Sequence, residues 1–105
     1  MATYIRYAHK AEKLEKRLDE ARDRLEIATK VVAITILDKG TGTFTLTFIF
    51  YDSTELSFTQ DELLNGDVFQ WNIERLLLTN TAQAGLTLKL LVDVQLPGEK
   101  TIAPA

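Results

Sequence analysis

The chain has 105 residues, of which 46% are hydrophobic and 26% charged, with a formal net charge of −3, no cysteine and a single histidine. This length fits one domain, and the apolar content excludes a disordered chain. The lack of cysteine excludes a disulfide framework or a Cys-based zinc site, the mildly acidic balance gives no basic face for nucleic acid, and no apolar run reaches the ~18 residues of a membrane-spanning helix.

From the N-terminus, "MATYIRYAHKAEK" has no apolar run before its charges begin, so no cleaved secretion signal is expected. Over residues 4–32 the apolar positions are Tyr4, Tyr7, Ala11, Leu14, Leu18, Ala21, Leu25, Ala28 and Val32, at alternating steps of three and four. That spacing predicts a coiled-coil-like helix over residues 1–30 with those nine side chains as its oligomer seam. Nearly everything else between Lys10 and Glu26 is charged. Glu12 with Lys16, and Glu20 with Arg24, stand four apart, as helix-stabilising pairs do.

The period then changes. "VVAITIL" is β-branched and "DKGTGT" reads as a turn. In "FTLTFIFYD", Phe44, Leu46, Phe48 and Phe50 fall on one strand face and Thr43, Thr45 and Thr47 on the other. "DSTE" makes a turn and "LSFT" a short strand. Thr59 with Glu62 three residues on is a capping-box arrangement, and Gly66 is placed to end the short helix that follows. "DVFQWNIERLLLTN" reads as extended, although its three leucines cannot be given to one face. "TAQAG" is a loop. In "LTLKLLVDVQLPG", Leu86, Leu88, Leu90, Val92, Val94 and Leu96 alternate with mostly polar residues, apart from Leu91. Such alternation belongs to an antiparallel sheet with one buried face, and Pro97–Gly98 is read as its end. The expected fold is α+β: a helix (1–30), a small antiparallel sandwich or barrel-like domain (31–98) and a tail (99–105).

Chemistry is hard to find. His9 falls on the charged face of the expected helix, and one histidine cannot supply a multi-His metal site. Asp61, Glu62 and Asp67 do not follow the spacing of a calcium loop and are read as capping and turn residues. "GTG" at 40–42 lacks both the Lys-Ser/Thr of a P-loop and the strand–GxGxxG–helix setting, so it is a turn. Trp71 in an alternating strand is read as core rather than a ligand platform. No catalytic residue, metal or cofactor is expected.

"IERLLLTNTAQAGLTLKLLVDVQ", residues 73–95, resembles the β-modules of bacteriophage decoration, fibre and tail proteins, with a strand ending in "LTNT", a small-residue loop and a long alternating strand. The layout of helix and β-domain is similar to that of trimeric virus attachment and cement proteins. The resemblance implies a non-enzymatic virion structural protein that associates with itself, as a trimer for preference, and with the capsid shell or tail. It implies residence in the virion after assembly in the host cytoplasm. Neither nucleic acid nor membrane is expected as a partner. The competing expectation is a cytoplasmic adaptor that docks a partner protein through its N-terminal helix.

Overall fold

The computed structural model describes the backbone of residues 3–104 and the side chains of residues 10–95. It contains seven strands: β1 (Thr3–Arg17), β2 (Arg22–Asp38), β3 (Phe44–Phe50), β4 (Glu55–Thr59), β5 (Val68–Phe69), β6 (Ile73–Asn80) and β7 (Thr87–Pro104). The only helical element among the described residues is the 3-10 turn Gln60–Glu62. The fold is therefore antiparallel β, and the α+β expectation with its coiled-coil helix is overturned. Residues 3–30 of the expected helix fall instead on β1, a turn and the first half of β2.

The apolar spacing of this region has a strand explanation. Along residues 10–18 the side chains at even positions face inward, where Leu14 is half-buried and Leu18 fully buried with charged Lys16 between them. When every second inward position is charged, apolar residues recur every four, which is also a helical interval. The three-residue step from Leu25 to Ala28 lies on β2, whose pairing with its neighbours shifts register between Arg22 and Leu25, Glu26 and Ala28, Val31 and Ala33, and Ile36 and Asp38. Each extra residue inserts an odd step into a period of two. Arg24 and Lys30 take positive φ angles, 54° and 52°, as the strand bends. The salt bridges differ accordingly. Lys10 pairs with Glu12 at 2.7 Å, two residues apart on one strand face, and Arg24 pairs with Glu55 of β4.

The strand order is β1-β7-β2-β6-β3-β4, every neighbour antiparallel, with β5 also on β2. Strand β2 belongs to both halves of the sheet: Arg22–Val31 pairs with β6, and Val31–Asp38 with β7. The sheet folds on itself about this strand, which brings the two inner faces together in the manner of a sandwich. Ile34, Ile36, Leu88, Leu90 and Val92 from one half form one core with Phe44, Leu46, Phe48, Ile73, Leu76 and Leu78 from the other. Full burial of a side chain of this size is worth about 1.5–3 kcal/mol. Leu77 points to the opposite face from Leu76 and Leu78. It is nonetheless 1% exposed, between its cross-strand neighbours Glu26 and Thr47.

The end of the chain is strand rather than tail. Tyr7 pairs with Lys100 and His9 with Gln95, so four residues of β7 stand opposite one of β1. Pro97 and Gly98 fall in that bulge, where a missing N–H breaks no ladder bond. Pairing resumes and continues to Thr3 opposite Pro104. The molecule is elongated, with extents of 55 × 25 × 22 Å.

Candidate functional site

The two ends of the folded sheet differ. At one, three connections are tied together. The Leu18 N–H donates to the Leu86 carbonyl at 2.9 Å, and the Gln83 N–H donates to the Leu18 carbonyl. The Gln83 amide accepts from the Thr43 N–H and donates to the Thr43 carbonyl, both at 2.7 Å. Asn80, 6% exposed, donates to the carbonyls of Glu20 and Thr81 at 2.9 and 2.7 Å. Gly42 is buried here, and a Cβ on it would lie 2.6 Å from Leu18 Cδ1. No buried side-chain nitrogen or oxygen among the described residues lacks a partner.

At the other end the sheet opens. Beyond Val31–Val94, β2 and β7 separate. Among the described residues, 22–30 of β2 then have β6 on one side and no strand on the other, while 95–104 of β7 have only β1. A groove of about 370 Å³ lies where they part, lined by Lys10, Glu12, Ile27, Ala28, Lys30 and Val94 among others. Ile27, Ala28 and Val94 pack against the core and give it an apolar side. The Lys10–Glu12 ion pair stands on the β1 side.

The seam residues expected from the sequence do not share one stripe. Leu18 is buried in the core and Leu14 packs against it. Ala11 is exposed, on the strand face opposite Leu14. Ala21 is exposed beside the β1–β2 turn, and Leu25 is 48% exposed. Ala28 lines the groove and Val32 is half-buried. The side chains of Tyr4 and Tyr7, like that of His9, lie outside the described residues. The groove and the free edges beside it were missed in the sequence, because they exist only through the parting of two strands far apart in the chain, β2 and β7, beyond Val31 and Val94.

Trp71 is the rim of an aromatic cluster. Its ring centroid lies 5.2 Å from Phe69 and 5.8 Å from both Phe48 and Phe50. The buried Phe48 carries the cluster into the core, whereas Trp71 remains 37% exposed. A shallow depression beside it is lined by Phe50, Tyr51, Asp52, Thr54 and Asn72, and Asp52 is its one ionisable carboxylate. Such rings can hold an apolar surface, but no set of polar groups converges on them to direct a reaction.

The acidic residues flanking the 3-10 turn serve backbone groups. Glu62 Oε1 accepts from the Thr59 N–H at 3.0 Å, and Asp67 from the Leu64 N–H at 2.8 Å. The Thr59 hydroxyl donates toward Asp61, which holds that carboxyl below its ordinary pKa, and the Thr59 N–H and hydroxyl do the same for Glu62. Asp52 is likewise lowered by the Thr54 hydroxyl and N–H. Among the described residues no group of three or more His, Cys, Asp or Glu is placed to hold a metal ion. No helix among them is long and apolar enough to cross a membrane. Comparison with known proteins returns no match: no family model, no curated protein and no solved structure matches the chain.

Proposed function

We propose that this chain is a non-enzymatic structural subunit that assembles with copies of itself, as a component of a virus particle such as a capsid cement, head fibre or tail protein. The observation that supports this best is the open end of the sheet, where two long strand edges leave the body without a partner in their own chain. Unpaired edges template pairing with another chain, and soluble proteins ordinarily blunt or cover them. A two-stranded ribbon such as the terminal β1–β7 pairing is marginal alone in water and gains stability from added strands. The virion setting rests on the resemblance of residues 73–95 to phage β-modules. Those residues include β6 and the start of β7, which lie within the sheet rather than at its rim. Closed symmetry favours two or three copies.

An adaptor that docks through an N-terminal helix is no longer available to this chain, because the helix is absent. The test of the proposal is the solution mass of the full chain by light scattering across a concentration series. A closed oligomer that persists on dilution is the expected result. A monomer throughout would overturn the self-assembly on which the proposal stands.

A further inference from the structure

We infer that copies associate by strand pairing across the open end: the free edge of β2, residues 22–30, in one copy takes the free edge of β7, residues 95–104, of another. The inference rests on the self-assembling reading above and names its interface.

The longer open strand edges among the described residues are guarded differently. Strand β4 is an outer edge only five residues long. Strand β1 is the other outer edge, and it turns Lys10, Glu12 and Lys16 toward the core side of the sheet, the face that also carries Val94, Val92 and Leu88. Short length and inward-pointing charge are the devices by which edges resist pairing with other chains. The inner edges of β2 and β7 are nine and ten residues long, with the Pro97–Gly98 bulge near the start of the β7 edge. The β2 edge has half-buried Ile27 and Ala28 on its inner side. Its register shifts near Arg22 and Glu26 curve it without interrupting the strand.

A second copy is the occupant because each chain supplies both halves of the contact. The two edges nearly match, nine residues on β2 and ten on β7. They belong to antiparallel neighbours, and they part without either meeting another strand. If the β7 edge of one copy reaches the β2 edge of the next, each chain gives one edge and receives one, so a ring of two or three closes with no free edge at this end. The groove accepts the incoming side chains. Its apolar side takes one alternate set, while the Lys10–Glu12 pair and Lys30 meet the polar set at the rim.

Natural cysteine is absent, so introduced thiols report contacts unambiguously. Full-length Leu25→Cys would be mixed with full-length Lys100→Cys under mild oxidation, and Glu26→Cys with Glu99→Cys to sample the other strand face. Side chains opposite one another on paired strands are about 5 Å apart, within disulfide reach. The expected result is a mixed disulfide between two different chains at about ten-fold or more the yield of a control mixture of Leu25→Cys with Thr41→Cys, because assembly raises the local thiol concentration into the mM range. In parallel, hydrogen exchange of the unaltered chain should show residues 22–30 and 95–104 protected at high concentration and released on dilution. An oligomer with neither the mixed disulfide nor that concentration-dependent protection would overturn this interface while leaving self-assembly standing. A chain that scatters as a monomer at every concentration would overturn both.

Discussion

The closed end around Leu18, Gly42, Asn80 and Gln83 and the open end around Ile27, Lys30 and Val94 are built from the same strands. At the closed end every turn is answered by another part of the same chain. Leu18 alone donates its N–H, gives its carbonyl and buries its side chain within one cluster. At the open end β2 and β7 run on past their last mutual pair with their inward edges unanswered. Stability is thus concentrated at one end of the molecule and pairing capacity at the other. A sheet protein can keep an edge available when its core is closed elsewhere.

Core and edge substitutions should break this contrast most sharply. Leu18→Ala removes a fully buried side chain and should cost about 2–5 kcal/mol, read as a fall in denaturation midpoint. Leu25→Ala, on the exposed part of β2, should change the stability of the isolated chain by no more than about 0.5 kcal/mol. Equal losses at the two positions would remove the distinction between the ends.

A smaller effect is expected from the polar tie. Asn80→Leu would leave the carbonyls of Glu20 and Thr81 without their donor and should cost about 1–3 kcal/mol, measured by urea denaturation with an unchanged slope. Gly42→Ala should destabilise by a comparable amount, because the new methyl meets Leu18 Cδ1 and a packed core yields little to added volume. A neutral outcome for both would mean that the closed end is looser than its hydrogen bonds indicate.

The pH response should be the gentlest of these effects. Asp52, Asp61 and Glu62 are held below their ordinary pKa values by hydroxyl and amide donors in the folded chain. Their folded pKa values lie below the unfolded ones, so their contribution is present above the unfolded values and is lost as pH falls through the folded ones. All three are exposed, which keeps that contribution small. Side-chain carboxyl shifts followed by NMR should place all three midpoints below the ordinary range. Thr59→Val should move those of Asp61 and Glu62 upward and leave Asp52 where it was.

Half of this fold was legible in the sequence. Phe44 to Phe50 and, apart from Leu91, Leu86 to Val94 alternate, and the structure buries the inward residues Phe44, Leu46, Phe48, Leu88, Leu90 and Val92 and packs Phe50, Leu86 and Val94 against them. The capping box at Thr59 and Glu62 forms, although it starts a single 3-10 turn. Residues 4–32 misled for a definable reason. Alanine, leucine, glutamate, lysine and arginine dominate there, and all favour helix in isolation. The decisive fact, that β7 lies alongside to complete the ladder, is not local. The three leucines at 76–78 became assignable only once Leu77 was seen covered by neighbours from two other strands. The open edges could not be read at all, since an edge is defined by which strand is missing beside it.

The pairing of β1 with β7 also sets an order of events in time. Ala11 meets Asp93 and Leu14 meets Leu90, so β1 closes only against a strand made some eighty residues later. At about 5–20 residues per second of synthesis, β1 spends several seconds exposed before its partner exists. Contacts of such long sequence separation are the slow ones to form. Its alternating lysines and glutamates keep it solvated and poorly suited to premature pairing during that wait. The same charges that disguise β1 as a helix are therefore what a strand needs if it must be made well before the strand it pairs with.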